Sequence, residues 1–166
     1  MSKSADLSAF ELAVRAERAD ALNWFDMYEA APPPVQAGLG LASAWRGALG
    51  MTRSVIPFSH FNMVLTLGCP AAADDAAFAA IDAFYNGRGC GRHWILVNDY
   101  SEPPSLAERL LARGYTAAGA WDRVTLQGAR ADLWSPHGHD CETVDASNAG
   151  EWVEFLCRTY GMPPPV

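Results

Sequence analysis

The first thirty residues of the chain follow a helical pattern of apolar and polar positions. Apolar side chains recur every three or four residues, with charged side chains between them: Leu7, Phe10, Val14, Ala21, Phe25 and Tyr28. Ser8 and Glu11 have the spacing of a capping box, which marks the start of a helix. Prolines at positions 32–34 cannot donate the next helical hydrogen bonds. The pattern therefore predicts an amphipathic helix from Ser8 to about Ala31.

The segment that follows carries one helical and two extended patterns. From Val35 to Ala48 apolar residues keep a helical spacing interrupted by glycines, and we predict a second helix there. Arg53–Pro57 is predicted to be a short strand. Residues Phe61–Leu67 alternate between two faces, with Asn62, Val64 and Thr66 on one of them, which predicts a longer strand.

Helix and strand patterns alternate in the middle of the chain. Asp74 and Asp75 stand where a helix N-terminus favours negative charge, and a buried stripe continues from them to Tyr85. The continuous apolar run Trp94–Val97 is typical of a strand that is covered on both faces. A strand, a helix and a strand in this order predict a right-handed parallel crossover unit.

A second capping-box spacing begins the next predicted helix. Ser105 and Glu108 mark its start, Arg113 its end, and Gly114 is placed to adopt the left-handed C-terminal conformation. Residues Tyr115–Gln127 contain two extended pieces separated by a turn. We expect these pieces to finish the sheet in antiparallel fashion.

Beyond Gln127 the sequence predicts a linker, one strand and one helix. Residues 131–140 have the composition of a linker. Cys141–Asp145 is compatible with a strand, and Ser147–Tyr160 carries a helical pattern that is closed by glycine and prolines. A strand followed by a helix could begin a second copy of a similar unit.

Composition limits the classes of protein to which this chain belongs. Its 166 residues suit one domain, or one domain and part of another, and 12 basic against 19 acidic side chains give a net charge of −7. Such a balance repels phosphate backbones and anionic membranes, so we expect neither nucleic acid nor membrane as a partner. The four cysteines form no CxxC pair and are interpreted as reduced. We expect a cytoplasmic protein.

Two stretches carry a resemblance to a known family. Residues 61–68 read FNMVLTLG and precede a helix that ends near Tyr85 and a strand that contains Trp94. Residues 110–115 read LLARGY, a late turn from helix to strand. In this order they resemble the GNAT acetyltransferases, and in particular the N-terminal lobe of tandem GNAT proteins. The resemblance covers residues 10–127 and implies an α/β (α+β) fold, a mixed sheet flanked by helices.

The resemblance also implies a domain organisation. Residues 141–165 resemble the opening strand and helix of a following GNAT lobe, including an aromatic-glycine-x-proline ending at Tyr160. We therefore expect a GNAT-like lobe at 1–130, a linker at 131–140 and the start of a second lobe at 141–166. On this interpretation the chain is a fragment or truncated product, with a naturally short protein as the alternative.

The cofactor loop departs from the family pattern. Members that bind acetyl-CoA place a Gln/Arg-x-x-Gly-x-Gly/Ala loop after the strand equivalent to 61–67, where backbone N–H groups receive the pyrophosphate. Here residues 68–75 read GCPAAADD, in which Pro70 lacks a donor and Asp74 and Asp75 oppose an anion. The tyrosine that serves many members as general acid is replaced by Leu110, and an associated asparagine by Pro103. The family implies acetyl-CoA, but this lobe lacks the loop that would hold it.

Four residues are candidates for contact with an acceptor substrate. In GNAT folds the opening helices wall the acceptor cleft, so Trp24 and Tyr28 are candidate substrate-binding residues, with core packing as the alternative. His60 and Asn62 flank the start of the strand that would line the central splay of the sheet. A histidine there could act as a base toward an amine, and a capped or solvated side chain is the alternative.

One further set of residues contains types that bind zinc. His137, His139 and Cys141 alternate along the predicted linker and strand. Three ligand types within five residues, without a distant fourth, make a weak site. We therefore predict solvated linker side chains and no metal.

Three functions stay open at this point. The first is an N-acetyltransferase of tandem type that transfers an acyl group to a small-molecule or peptide amine, with this chain as the lobe that does not bind CoA. The second is a GNAT-like module without catalysis, used for binding or dimerisation. The third is a small stand-alone acyltransferase with an unusual CoA loop. A second GNAT lobe or a homodimer is the protein partner that these functions imply.

Overall fold

The described residues form a mixed four-stranded sheet flanked by helices, which confirms the predicted α/β (α+β) class. A computed structural model describes residues 7–87, 90, 92–121 and 144–160. The chain divides into two compact units, Met1–Thr125 and Leu126–Val166. The helices are α1 (Ala9–Ala30), α2 (Pro33–Leu39), α3 (Asp75–Tyr85), α4 (Leu106–Ala112) and α5 (Ala149–Tyr160). The strands are β1 (Ala42–Arg46), β2 (Leu49–Arg53), β3 (Met63–Leu65) and β4 (Trp94–Ile95).

The predicted first helix and its capping box are both confirmed. The Ser8 side chain accepts a hydrogen bond from the Glu11 backbone N–H at 3.2 Å, and the Ser8 backbone N–H donates to the Glu11 carboxylate at 2.8 Å. These two bonds satisfy N–H groups that the first turn of a helix leaves without partners. The prolines end α1, but Pro33 also begins α2, because proline is tolerated in a first turn.

A β-hairpin replaces much of the predicted second helix. The helix predicted from Val35 to Ala48 extends only to Leu39, and β1 and β2 then pair antiparallel around a two-residue turn. Gly47 has a φ of 60° at the first turn position, which glycine adopts without strain. The strand predicted at Arg53–Pro57 is also wrong, because Arg53 is the last residue of β2.

The strand order β1-β2-β3-β4 is antiparallel except at its last pair. β3 and β4 run parallel with α3 between them in sequence, so the predicted strand–helix–strand unit is confirmed. β3 is shorter than the predicted strand because Thr66, with a φ of 63°, leaves the extended conformation. β4 is likewise shorter than the predicted run Trp94–Val97.

Both faces of the sheet are covered. On one face Met63 and Leu65 pack with Ala21 of α1. On the other face Val64 belongs to the main core, with Met51 and Ile81 among its members. All three residues of β3 are at most 1% exposed, so β3 is the buried axis of the fold.

Threonine side chains extend the short ladder between β2 and β3. Only two residue pairs join these strands, Gly50 with Leu65 and Met51 with Val64. The Gly50 N–H donates to Thr66 Oγ1 at 3.1 Å, and the Met63 N–H donates to Thr52 Oγ1 at 3.2 Å. A buried N–H group without a partner is costly, so these hydroxyls stabilise a sheet that the backbone alone pairs incompletely.

The helix predicted at 105–113 is observed as α4, but its predicted capping box is wrong. The Ser105 side chain makes no capping hydrogen bond, and its ψ of 10° is far from the extended conformation of a capping residue. The predicted C-terminus is confirmed, because Gly114 has a φ of 90°. The Gly114 N–H donates to Leu111 O and the Tyr115 N–H to Leu110 O, the two bonds of a Schellman motif.

The last part of the chain is described only in pieces. Residues 115–121 form no strand, and residues 122–127 of the predicted antiparallel finish lie outside the described residues, as does the whole linker 131–140. Of the predicted strand Cys141–Asp145, residues 144 and 145 are described and are not in a strand. The helix predicted at Ser147–Tyr160 is confirmed as α5. In the described part of the chain, no helix has both the length and the apolar character to cross a membrane.

Replacement of Gly68 by alanine is expected to destabilise the fold strongly. Gly68 has a φ of 80°, and a Cβ there would lie 2.7 Å from Glu102 O. Left-handed strain adds about 1–2 kcal/mol and the backbone clash about 1–3 kcal/mol, so we expect urea denaturation to give a loss of about 3 kcal/mol. Gly114→Ala is the matched control, with a φ of 90° and open space around its Cβ. Equal losses in the two variants would contradict the close approach at Gly68.

Candidate functional site

The four predicted substrate-binding residues gather around one turn. Trp24 and Tyr28 lie one turn apart on α1 and both reach Phe61, in a short 3-10 helix at Ser59–Phe61. The Tyr28 hydroxyl donates a hydrogen bond to Phe61 O, and the Trp24 ring meets the Phe61 ring edge-on at 5.8 Å. His60 and Asn62 are the sequence neighbours of Phe61. One local segment therefore unites residues that sequence reasoning took from two separate elements.

Asn62 holds this segment in place. Its side-chain Oδ1 accepts from the Ser54 N–H at 2.7 Å, and its Nδ2 donates to Ile56 O at 3.0 Å and to Phe58 O at 3.3 Å. The side chain is 1% exposed. Since both ends of the amide are engaged inside the protein, Asn62 acts by positioning its neighbours.

Tyr28 is engaged in the same way. It is 3% exposed, and burial raises the pKa of its hydroxyl to about 12. The hydroxyl therefore stays protonated at neutral pH and its proton is committed to Phe61 O. Like Asn62, Tyr28 is buried and holds the segment around Phe61 in place.

His60 lies inside an aromatic cluster, which we define as Trp24, Phe58, His60, Phe61, Trp94 and Trp121. Its ring stacks on Phe58 at 4.7 Å and on Trp121 at 5.2 Å, and it meets Trp94 at 4.3 Å. Trp121 is 56% exposed, so the aromatic cluster reaches the protein surface. It presents several π faces, with an imidazole among them.

The imidazole of His60 is favoured in its neutral form. Burial among the rings lowers the pKa of His60 from its ordinary value. Its Nδ1 atom is buried and has no hydrogen-bond partner among the described residues. A neutral imidazole can accept a proton only at a nitrogen that a bound group reaches, and the buried Nδ1 is not open to the surface.

In the turn after β3, where the GNAT resemblance would place pyrophosphate, two backbone N–H groups are engaged within the protein. The Cys69 N–H donates to Thr66 O at 3.2 Å and the Ala73 N–H to Glu102 O at 2.7 Å, while Pro70 has none to offer. The carboxylates of the two aspartates are engaged as well. Asp74 accepts from the Ala77 N–H at 2.8 Å, and Asp75 pairs with Arg109 at 2.9 Å.

Two open cavities lie on the α3 side of the sheet, away from the predicted site. One of about 400 Å³ is bordered by the hairpin turn, the end of β3 and the first turns of α3. The other, of about 270 Å³, lies between Arg53 of β2 and Phe84 of α3. None of the four predicted substrate-binding residues lines either cavity. The four predicted residues therefore lie apart from both of these cavities.

A second cluster of titratable groups, His93, Tyr85 and Tyr115, was not predicted from the sequence. His93 stacks on Tyr85 at 3.9 Å, and its Nε2 lies 2.9 Å from the Tyr115 hydroxyl. Burial lowers the pKa of His93 and raises the pKa of Tyr115, so both are neutral. The contact joins residues 22 positions apart from different elements, and no local spacing marks it.

Two other sets of residues were singled out in the sequence, and the structure describes one of them. Leu110, where the GNAT resemblance would place a tyrosine, is 7% exposed and belongs to the main core. His137, His139 and Cys141 lie outside the described residues, so the structure adds nothing to that set. The described residues thus place no proton donor at position 110.

Comparison with family models, with curated proteins and with solved structures finds no match for this chain. The chemistry of the site has to be inferred from its own residues. The most informative of these are the aromatic cluster at the start of β3 and the turn of residues 68–75 after its end.

Replacement of Asn62 by alanine is expected to destabilise the protein by about 2–3 kcal/mol. The change leaves the Ser54 N–H and two carbonyls without their partner, and a buried unsatisfied group costs about 1–3 kcal/mol. Chemical denaturation followed by circular dichroism measures the loss. Asn23→Ala is the control, because Asn23 is exposed on the surface of α1. A similar loss in both variants would contradict the role of Asn62.

Tryptophan fluorescence is expected to fall on acidification, with a midpoint below the ordinary histidine pKa of about 6.5. Protonated His60 would quench Trp94 and Trp121, whose rings it touches. Because His60 binds its proton less tightly in the folded than in the unfolded chain, stability falls as the pH drops through this range. His60→Phe should abolish the quenching transition and His93→Gln should keep it. A transition that survives in His60→Phe would contradict the assignment.

Proposed function

We propose that this chain is a GNAT-type N-acyltransferase lobe that shapes the site for an acceptor amine, while a second lobe or chain supplies the acyl-CoA. The observation that carries the proposal is the gathering of Trp24, Tyr28, His60 and Asn62 around Phe61. The element order, with two helices before the hairpin and α3 between parallel strands, supports the family assignment.

The aromatic cluster suits an amine. An amine is a cation at neutral pH, and aromatic faces attract cations within about 6 Å of a ring centroid. Trp121 supplies an exposed face, and His60 beside it is neutral. Transfer requires the bound ammonium to lose one proton first, because only the free amine has a lone pair to attack the thioester carbonyl. The C–S bond then breaks, CoA leaves as the thiolate, and the second proton lost from nitrogen can protonate that thiolate. His60, whose ring lies within the aromatic cluster, is the group that would take the first proton.

The donor is bound elsewhere in this proposal. Pyrophosphate recognition needs free backbone N–H groups, and the turn after β3 directs those of Cys69 and Ala73 to Thr66 and Glu102. The carboxylates of Asp74 and Asp75 add negative charge beside them. A lobe built in this way contributes shape and acceptor contacts and leaves the thioester to its partner.

A GNAT-like module without catalysis is the second candidate. Leu110, buried where many members have a proton donor, favours it. In that case the aromatic cluster binds a partner and transfers nothing. The two candidates therefore differ in whether this surface binds an amine in preference to a neutral molecule of similar shape.

Benzylamine is expected to bind the chain and change its tryptophan fluorescence saturably, whereas benzyl alcohol, a neutral probe of similar shape, should bind more weakly. A cation–π contact is worth about 0.5–1 kcal/mol, so Trp121→Leu should weaken benzylamine binding about two- to fivefold. Trp152→Leu, in the other compact unit, is the matched control.

Acetyl-CoA is expected to give no heat when titrated into the chain alone, and no acetylated benzylamine should form. Equal binding of benzylamine and benzyl alcohol, or binding of neither, would favour the module without catalysis. Heat with acetyl-CoA would contradict the division of labour between lobes and favour a stand-alone enzyme.

A further inference from the structure

The smaller cavity on the α3 side of the sheet has a wall of unusual composition, and we call it the arginine cavity. It measures about 270 Å³ and is lined by two cationic and four apolar side chains: Arg46, Met51, Arg53, Ala80, Ala83 and Phe84. No carboxylate of the described residues lines it, whereas Asp74 lines the larger cavity. The arginine cavity therefore combines positive charge with an apolar surface.

The register of the hairpin places both arginines on the side of α3. Arg46 is paired with Leu49 and therefore shares its face of the sheet. Leu49 and Met51 belong to the main core on the α3 side. Arg53 follows two residues after Met51, so its side chain lies on the same face. Both cations thus face α3 and border one cavity.

Arg53 is a partly buried cation without a carboxylate partner among the described residues. Its guanidinium lies over the Phe84 ring at 5.2 Å. The Nε atom is buried and has no hydrogen-bond partner, so the donors that remain for a ligand are the Nη groups at the tip of the side chain. Withdrawing a cation from water without a counter-charge costs free energy. An anion in the arginine cavity would offset part of that cost.

Arg46 adds a second positive charge to the same wall. Its side chain is exposed, and its Nη1 donates to Trp45 O at 3.1 Å, which leaves its other N–H donors available. The ion pairs of the described residues use Arg109 and Arg113 instead. In a chain of net charge −7, the arginine cavity is a local positive site that attracts anions.

We propose that the arginine cavity binds a small carboxylic acid in its anionic form, with the carboxylate at Arg53 and an apolar body against Met51 and Phe84. A guanidinium presents paired N–H donors that match the two oxygens of a carboxylate. Pockets for drug-sized ligands measure about 300–1,000 Å³, so a cavity of about 270 Å³ suits a smaller molecule.

A phosphate ion fits this cavity less well than a carboxylate. Phosphate carries more oxygen atoms, and most of the side chains in the wall are apolar. Oxygen atoms that face apolar side chains lose hydration without gaining hydrogen bonds. The composition of the wall thus favours a carboxylate that is attached to an apolar body.

This site is separate from the proposed site for an acceptor amine. The arginine cavity lies on the α3 face of the sheet, whereas Trp24 and Trp94 of the aromatic cluster pack with Ala21 on the α1 face. No residue of the aromatic cluster lines the arginine cavity. The binding of a carboxylate therefore does not depend on the proposed acyltransferase function.

Titration calorimetry of the full chain with sodium benzoate tests the proposal. We expect saturable binding that weakens with added salt. Benzamide, which has a similar shape without the charge, and inorganic phosphate should each bind about tenfold more weakly. Equal binding of benzamide would contradict recognition of an anion, and equal or tighter binding of phosphate would contradict the apolar contact.

Substitutions of Arg53 test the charge and the paired donors separately. Arg53→Gln should weaken benzoate binding about tenfold. Arg53→Lys keeps the charge but lacks the planar pair of donors, so it should weaken binding as well. Arg18→Gln is the matched control and should leave binding unchanged, because Arg18 lies over the Trp45 ring at 5.5 Å on the α1 face.

A third variant keeps both arginines and narrows the cavity. Ala83→Leu should weaken benzoate binding by more than about fivefold, because the larger side chain occupies part of the space. Ala79→Leu is its control, since Ala79 is also exposed on α3 and lines neither cavity. Unchanged benzoate binding in Arg53→Gln or in Ala83→Leu, or no saturable binding to the unaltered chain, would overturn the proposal. So would a loss of benzoate binding in Trp121→Leu, which would place benzoate at the aromatic cluster.

Discussion

The complete burial of β3 is the constraint on which the rest of the structure depends. Three residues covered by helices on both faces leave no water to satisfy the backbone around them, yet only two pairs join β3 to β2. Polar side chains at either end of the strand therefore complete the hydrogen bonding. Thr66 does so beyond the end of β3, where it accepts the Gly50 N–H, and Asn62 does so before its start, where it accepts the Ser54 N–H.

Because Asn62 acts before β3 and Thr66 after it, the two ends of the strand lead into different surfaces. At the start, the three hydrogen bonds of Asn62 draw residues 54–58 into a compact loop, and this loop presents Phe58 to the ring of His60. At the end, the positive φ of Thr66 leads into Gly68, whose backbone lies against Glu102. The aromatic cluster and the turn after β3 thus both follow from the way in which backbone groups around a short buried strand find hydrogen-bond partners.

The parts of the fold that could be predicted from sequence are those with local signals. α1 and α3 each have an apolar stripe and a capping residue, Ser8 and Asp74, and both were located within a residue or two. The hairpin β1–β2 could not be found from apolar spacing, because Leu39, Leu41, Ala44 and Trp45 also fit a helix. The glycine that begins its two-residue turn, Gly47, was the available signal.

The candidate site divides in the same way. Trp24 and Tyr28 share a helix face, and His60 and Asn62 share a segment, so each pair could be foreseen from local geometry. The meeting of the two pairs at Phe61 could not. Their individual roles could not, because the burial of Asn62 and the stacking of His60 depend on the loop conformation and on Trp121. The His93–Tyr115 contact depends on two separate elements meeting in space, which no spacing in the sequence encodes.

The turn after β3, residues 68–75, differs from a phosphate-binding loop at more than one residue. Replacing Asp74 by alanine would free the Ala77 N–H, but the Ala73 N–H would remain bound to Glu102 O. Releasing that bond would open the contact through which the Glu102 N–H reaches Gly68 O at 2.8 Å. The turn therefore stabilises the packing of the segment before α4 onto the end of β3. Its hydrogen bonds therefore serve the fold.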